Sequence, residues 1–498
     1  MELDDPSQQQ QQADDHHETE STCPKQQHSE NPEKDNHELK EQKQQPTPES
    51  ATIATDHQEQ TKKKDVANKS TNSSTSSTSK IDKTPRVDSQ LSKKQHIQRE
   101  MDALTKSVKV LRTHYQLVDK IGSGTFSSVY KALDIRYDTY DNSWWDVSNP
   151  SSDTNSENMD ETGNTRRNKK ADKQQQRFVA LKQIYATSSP KRMAHEIKIL
   201  QDLRGSSCIS QLITAFRHNE FVFLVMPYFQ HNEFKDCYRN MTMTDTKYYL
   251  ISLLTALKHL HSHRILHRDI KPNNFLYNMR LKTGMLIDFG LAQSTPQLIS
   301  SNAGKPPKPL ATKSMNNGDE NKTRKPGYIK NDTRKSVKAN RAGTRGFRAP
   351  EVLLRVTHQT VAIDIWSVGV TLLSILSGRF PFFIAHDEGE SLIEIASIFG
   401  MKEMKECAAL HNRTFETNIE TIPAVRKSLH KLCQVLNTEK FKLWTEDNKQ
   451  NVLNAMDLME KMLALDYTKR ITAEEALNHP FLSDSPLPPS LSSTSSSL

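Results

Sequence analysis

Residues 267–290, HRDIKPNNFLYNMRLKTGMLIDFG, contain two short polar motifs separated by twelve residues of mixed character. HRDIKPNNF occupies 267–275, and DFG occupies 288–290. Each motif is short enough to occur by chance. Their significance therefore depends on which other motifs precede and follow them in the chain.

The stretch IGSGTFSSVYKAL at 121–133 places Gly122 and Gly124 at the spacing of a phosphate-binding turn, but Ser127 stands where a third glycine is expected. The flanking segments HYQLVDKIG and SSVYKALDI alternate apolar and polar residues, which predicts two strands joined by this turn. By itself the stretch does not distinguish a nucleotide loop from a β-turn.

Two further signals come in a fixed order around these two regions. Lys182 ends the predicted strand VALK, and Glu196 follows fourteen residues later within the predicted helix SSPKRMAHEIKILQDL. The motif APE occupies 349–351. Together the five signals resemble the eukaryotic protein kinase signature set, through residues 115–482. The glycine turn is therefore interpreted as a nucleotide loop.

This resemblance implies an α+β, bilobal protein-kinase fold with a small β-rich N-lobe and a larger helical C-lobe. The pattern of apolar residues agrees with this fold, because the alternation typical of strands stops near Tyr228 and the spacing typical of helices follows. In TKYYLISLLTALKHLHSH an apolar stripe runs from Tyr249 to Leu260 at helical spacing.

The resemblance also assigns a binding site for ATP and Mg²⁺. Lys182 would hold the α- and β-phosphates while paired with Glu196, and Met226 would be the gatekeeper behind the adenine. The predicted ATP-binding residues are Ile121, Gly122, Gly124, Val129, Ala180, Lys182, Glu196, Met226 and Leu276. Asn274 and Asp288 would supply oxygen ligands for Mg²⁺.

The catalytic residues follow from the same motifs. Asp269 would accept the proton of the substrate hydroxyl, and Lys271 would steady the transferring phosphoryl group as in serine/threonine kinases. Asn274 would complete the catalytic loop. Thr344 is expected to form a hydrogen bond near Asp269 and Lys271.

Within the kinases, GTFSSVY, KPNNFLYN, FLYNMRLKTGMLIDFGLAQST and AGTRGFRAPEVLL are similar to the cell-division-cycle seven family. This likeness implies a nuclear kinase that depends on a Dbf-four-type regulatory subunit and phosphorylates MCM helicase subunits to initiate DNA replication. It also implies family-type insertions, which we place at about 136–177, 294–340 and 384–450. Consistent with the second, 58 residues separate Gly290 from Ala349.

Three arginines in RAGTRGFRAPE, namely Arg341, Arg345 and Arg348, are candidates for substrate binding. Guanidinium groups beside the residue that follows the phosphoacceptor would favour an acidic or phosphorylated neighbour. The alternative is that Arg348 has a structural packing role and Arg345 is simply solvated. Arg345 also stands where relatives often have proline.

The amino-acid composition indicates which parts of the chain can form a folded domain. Only 34% of the 498 residues are hydrophobic, and the deficit lies in a polar N-terminal region, 1–95, and a tail, 483–498, both predicted to be disordered. The kinase domain is predicted at 110–482. The basic runs TKKKD and RRNKKADK are either solvated loops or nuclear import signals, and we expect neither direct nucleic acid binding nor membrane insertion.

Two alternatives remain at the level of sequence. The chain could be another acid-directed nuclear kinase, near the casein kinase two group, that is active without a partner. It could also be a scaffold that needs no catalysis, but the presence of Lys182, Asp269, Asn274 and Asp288 argues against that.

Overall fold

The computed structural model describes residues 85–145, 177–295 and 338–483. The N-terminal lobe is built on one antiparallel sheet of five strands. These are β1 Tyr115–Ser123, β2 Ser127–Asp134, β3 Phe178–Ile184, β4 Thr214–His218 and β5 Phe221–Pro227, hydrogen-bonded in the order β1-β2-β3-β5-β4. The predicted β-rich N-lobe is confirmed, and the glycine turn joins β1 to β2.

Alternation of side chains explains how the sheet packs. Along β2 every second residue is buried, from Ser128 to Asp134, so that Tyr130 and Ala132 face the lobe's core. Val129 faces the opposite side and pairs in register with Lys182 on β3. One face of β2 therefore packs in the core of the lobe, and the other face lines the cleft.

Three helices accompany the sheet: α1 Pro85–Ser107, α2 Lys109–His114 and α3 Pro190–Asp202. Helix α1 corrects two predictions. Its first eleven residues, 85–95, belong to the segment 1–95 that was expected to be disordered, and it begins well before residue 110, the predicted start of the kinase domain. Ile97, Met101 and Leu104 contact the N-lobe core at helical spacing, although they are diluted among charged residues in the sequence. Residues 1–84 and 484–498 lie outside the described residues.

The C-terminal lobe is mainly helical, as predicted. Its helices are α4 Phe234–Cys237, α5 Met243–Ser262, α6 Pro350–Leu353, α7 Ala362–Ser377, α8 Glu388–Leu410, α9 Leu429–Leu436, α10 Thr438–Met462, α11 Ala473–Leu477 and α12 Pro480–Ser483. Two short antiparallel strand pairs lie beside the motif loops: β6 Ile265–Leu266 pairs with β9 Gln293–Ser294, and β7 Phe275–Asn278 forms a hairpin with β8 Thr283–Leu286.

Two helices form the centre of this lobe. Helix α5 starts at a capping box between Thr242 and Asp245 and buries the apolar stripe from Tyr249 to Leu260. Helix α7 is buried almost throughout, and Trp366 at its middle is fully buried. Next to it the buried Arg470 guanidinium forms a bidentate ion pair with Glu351 of α6, at 2.7 and 3.1 Å. None of the described helices combines the length and apolar character needed to span a bilayer.

The insertions differ in what the structure describes. The region 384–450 contains α8, α9 and the first half of α10, in agreement with its helical sequence pattern. Gly400 breaks α8 with a φ of +82°, and a Cβ there would lie 2.5 Å from the backbone of Val425, so only glycine fits this kink. In the first insertion only 136–145 and 177 are described, and Trp145 is buried there. Most of the second, 296–337, lies outside the described residues.

The packing of α1 generates a stability prediction. Replacing Met101, which is 4% exposed in the N-lobe core, with alanine should lower the free energy of unfolding by about 2 kcal/mol, because it leaves a cavity under α1. Lys94→Ala, an exposed position on the same helix, should change it by less than about 0.5 kcal/mol. Denaturant unfolding measures both, and equal values would show that α1 does not stabilise the lobe.

Candidate active site

A cavity of about 460 Å³ opens between the sheet and the helical lobe. All nine residues predicted to bind ATP line it, together with Asn274 and Asp288. Val129, Ala180 and Met226 come from three adjacent strands, and Leu276 closes the cavity from β7. The sequence reasoning did not anticipate Met285 and Phe380, which also line the cavity.

Lys182 is held between two carboxylates. Its Nζ donates to Glu196 Oε1 at 2.6 Å and to Asp288 Oδ1 at 2.8 Å. Burial alone would lower the pKa of the Lys182 ammonium, but the charges of Glu196 and Asp288 raise it overall. Likewise burial would raise the pKa of Asp288, but Lys182 lowers it to about 2. The Lys182 ammonium and the Asp288 carboxylate therefore stay charged at neutral pH.

Arg192 adds a connection that the sequence did not predict. From the first turn of α3 its Nε donates to the Gly290 carbonyl of the DFG motif, and its guanidinium lies 5.3 Å from the centre of the Phe126 ring. One side chain thus contacts the tip of the glycine turn and the DFG motif. Its position four residues before Glu196, on the same helical face, was the available sequence signal.

A second group of polar side chains surrounds Asp269. Asn274 Nδ2 donates to Asp269 Oδ2 at 2.9 Å, and Lys271 Nζ donates to the same oxygen at 2.8 Å. Thr344 donates to Asp269 Oδ1 through its backbone N–H at 2.8 Å and its hydroxyl at 2.7 Å. Burial would raise the pKa of Asp269, but the bonds from Lys271 and Thr344 lower it, so the group is a carboxylate.

The backbone around these carboxylates is strained. Arg268 and Asp288 both have left-handed conformations, with φ of +70° and +64°. The fully buried Asp364 supports the first of them, since its carboxylate accepts the backbone N–H of His267 at 2.9 Å and of Arg268 at 2.8 Å. Gly343 lies so close that a Cβ would be 2.4 Å from the Arg268 carbonyl oxygen. These contacts place Asp269 and Thr344 against each other.

The donor set is suitable for a hard cation. Asp288 uses Oδ1 to pair with Lys182, and Asn274 uses its amide nitrogen to hold Asp269. The Asp288 Oδ2 and the Asn274 Oδ1 are therefore the carboxylate and carbonyl oxygens that such a cation prefers. No group of three or more His, Cys, Asp or Glu side chains in 85–145, 177–295 and 338–483 has metal-binding geometry.

The three candidate substrate-binding arginines meet in a second, more open cavity of about 580 Å³, which we call the arginine cavity. It is lined by Arg341, Arg345, Arg348, Arg355, Asp387, Glu388 and Gly389. Arg348 makes contacts within the chain: its Nε donates to the Gly343 carbonyl at 2.9 Å, and its Nη1 donates to Glu388 Oε1 at 3.3 Å. Arg345 is exposed and makes no ion pair with another described residue.

Comparison of the sequence with known proteins shows which family the chain belongs to. The family model of the protein kinase domain matches residues 162–307 and 327–482. "Cell cycle serine/threonine-protein kinase hsk1" of Schizosaccharomyces pombe is 44% identical, over 77% of this chain and 75% of the relative. "Probable cell division control protein 7 homolog 2" of Encephalitozoon cuniculi is 40% identical, over 74% and 92%.

This chain belongs to the cell-division-cycle seven (Cdc7) family of serine/threonine protein kinases. A human relative, "Cell division cycle 7-related protein kinase", is 26% identical over 78% of this chain and 93% of the relative. The predicted family, enzyme class and cell-cycle association of the kinase are thereby confirmed, and membership of the protein kinase family implies that it uses ATP.

The site geometry predicts the effect of two substitutions in this kinase. Asp269→Asn and Lys182→Ala should each reduce phosphotransfer to below about a tenth of wild type, because each removes a charge that the described contacts place in the cleft. Single-turnover assays with radiolabelled ATP measure the loss.

A matched control is Lys198→Ala, which breaks an exposed ion pair with Asp202 on the same helix as Glu196. It should keep wild-type activity. Residual activity above a tenth in either cleft variant, in a preparation that melts like wild type, would refute the catalytic assignment.

Proposed function

We propose that this Cdc7-family kinase phosphorylates serine and threonine residues followed by an acidic or phosphorylated residue. Its substrates would be MCM helicase subunits in the nucleus, with a Dbf-four-type regulatory subunit as activator. The observation that carries the substrate class is the arginine cavity, whose residues Arg341 and Arg345 flank Thr344 along the chain. The replication role and the partner are supported by family membership and by the resemblance of the motif sequences.

In this proposal Lys182 holds the α- and β-phosphates of ATP, and Glu196 fixes the ammonium from behind. The 2.6 Å contact between the two supports this role, since a lysine on a flexible four-carbon stem needs a fixed partner to point into the cleft. Ile121, Val129, Ala180, Met226 and Leu276 provide the apolar walls for the adenine. Gly122 and Gly124 allow the backbone to approach the phosphates.

Asp269 would accept the proton of the substrate hydroxyl while that oxygen bonds to the γ-phosphorus and ADP leaves. Its lowered pKa keeps it in the proton-accepting form. Lys271, 2.8 Å from both Asp269 and Thr344, would stay beside the transferring phosphoryl group and offset its charge. Mg²⁺, if held by Asp288 and Asn274, would offset the charge of the phosphate oxygens.

The regulatory subunit would contact the region 384–450. Five large apolar side chains are exposed there: Ile384 and Val425 (67% each), Val435 (75%), Leu443 (62%) and Ile419 (41%). A protein partner that covered these side chains would remove their apolar surface from water. The two basic runs that could act in nuclear import lie outside the described residues.

The arginine cavity predicts a substrate preference. On peptides that differ only after the phosphoacceptor, kcat/KM should be at least about tenfold higher with aspartate than with lysine there. Arg345→Gln should reduce that ratio several-fold because Arg345 is the guanidinium without an ion pair to another described residue. Arg280→Gln, an exposed arginine on the β7–β8 hairpin, should leave it unchanged. A wild-type enzyme indifferent to the following residue would refute the acidic substrate class.

The proposed partner predicts a large activation. If the competent state of the isolated chain is about 1% populated, a subunit that prefers that state about 10⁴-fold raises its activity about a hundredfold. Turnover of the purified chain, measured with and without its co-purifying subunit, tests this. Equal turnover would instead favour the self-sufficient, casein-kinase-two-like alternative.

A further inference from the structure

Helix α1 carries one acidic side chain, Glu100, that bonds two strands of the N-lobe sheet. Its Oε1 accepts a hydrogen bond from Lys120 Nζ at 2.7 Å and another from the Tyr130 hydroxyl at 2.7 Å. Its Oε2 accepts from Lys120 Nζ at 3.0 Å. Lys120 lies on β1 and Tyr130 on β2, so one carboxylate of α1 joins both strands.

These two strand residues stand at the base of the glycine turn. Lys120 and Tyr130 are register partners, and the next pair towards the turn is Gly122 with Val129. Two residues of β1, Ile121 and Gly122, therefore pass where β2 has one, and such a bulge bends its strand. Ile121, Gly122 and Val129 all line the cleft. Glu100 thus holds the last strand pair before the bulge that leads into the turn.

The same contacts extend to the third strand. The Gln183 side-chain oxygen lies 3.4 Å from the Tyr130 hydroxyl, and both residues are buried. Lys120, Tyr130 and Gln183 are each adjacent in the chain to a residue that lines the cleft, namely Ile121, Val129 and Lys182. Because neighbouring residues of a strand point to opposite faces, Glu100 acts on the back of the strands whose front faces the cleft.

Charge strengthens these bonds. The side chains of Glu100 and Lys120 are only 32% and 15% exposed, so water screens their ion pair in part. Burial would raise the pKa of Glu100, but the bonds from Lys120 and Tyr130 lower it, and the group is a carboxylate. Burial and the bond to Glu100 raise the pKa of Tyr130, so its hydroxyl keeps the proton that it donates. Hydrogen bonds to an ionised acceptor are stronger than those between neutral groups.

We propose that Glu100 is a positioning residue for nucleotide binding, because it fixes the strand pair at the base of the glycine turn. Without its carboxylate, Lys120 loses its ion pair and the Tyr130 hydroxyl loses its charged acceptor. The bulge is then no longer held from behind, and the turn occupies its binding conformation for a smaller fraction of the time. This inference rests on the proposed role of the cleft in ATP binding and adds a residue that lies outside the cleft.

Titration calorimetry of the purified full chain with MgADP tests this without catalysis. If Glu100→Gln leaves the turn in its binding conformation about one fifth of the time, the Kd for MgADP rises about fivefold. In steady-state assays the KM for ATP should rise by a similar factor. The kcat at saturating ATP should stay within about twofold of wild type, because bound nucleotide restores the binding conformation.

The matched control is Asp102→Asn, which removes the same charge from the same helix. Asp102 is exposed, and its Oδ1 accepts the Gln98 side-chain amide at 2.9 Å rather than a strand residue. Its Kd for MgADP should equal that of wild type. Tyr130→Phe, which keeps the buried ring and removes the hydroxyl, should raise the Kd. Combined with Glu100→Gln it should raise the Kd by less than the product of the two single effects, since both remove the same bond.

An unchanged Kd in Glu100→Gln and Tyr130→Phe, in preparations that melt cooperatively, would overturn the proposal. Equal rises in Glu100→Gln and Asp102→Asn would do so too, as would a fall in kcat with no change in KM. If Glu100→Gln does not fold, Tyr130→Phe decides the question alone. Lys182→Ala separates this failure from a failure of the proposed ATP site: if it bound MgADP as tightly as wild type, the assignment of the cleft would be wrong as well.

Discussion

The ion pairs of Lys182 with Glu196 and Asp288 connect three parts of the molecule. Lys182 lies on the central strand of the sheet, Glu196 on helix α3, and Asp288 on the DFG segment of the other lobe. Taking the Lys182 ammonium and the Glu196 carboxylate out of water is costly unless they pair with each other, and the half-exposed Asp288 is the second partner of Lys182. The relative position of strand, helix and DFG segment is therefore coupled to the electrostatics of one ammonium group.

The other half of the site depends on a buried carboxylate in the same way. Asp364 is inaccessible to solvent, and its two oxygens hold the backbone N–H groups of His267 and Arg268 in a left-handed turn. That strain directs the next side chain, Asp269, towards Thr344 and Lys271. Backbone strain of this kind persists where surrounding contacts over-determine it, and here the close approach of Gly343 adds to them.

Substrate recognition involves a different balance, at a more open surface. In the cleft each charge has a fixed, buried partner, whereas in the arginine cavity a single carboxylate faces three guanidinium groups, two of which are half exposed. Long arginine side chains at such a site can exchange partners at small cost. The fixed ion pairs of the cleft hold Lys182 and Asp288 in one position. The arginines of the more open cavity are held less tightly, by Glu388.

The sequence alone determined the motif set, the order of the two lobes and the nine residues of the cleft. Each motif that contains one of these residues is local in the sequence, and strand and helix periodicity shows which face each side chain takes. Helix α1 was missed because its apolar residues are sparse among charged ones, and only the sheet beneath it makes the stripe visible.

Only the tertiary structure showed the ion-pair partners of Glu388 and Arg355. They lie 47 and 14 residues from Arg341 along the chain, in segments without a motif, and a surface charge in a sequence does not identify its partner. The folding of α8 against the segment after Gly343 brings them together. Ion pairs between distant segments depend on that packing, so the local sequence that determines helices, strands and motif loops carries no signal for them.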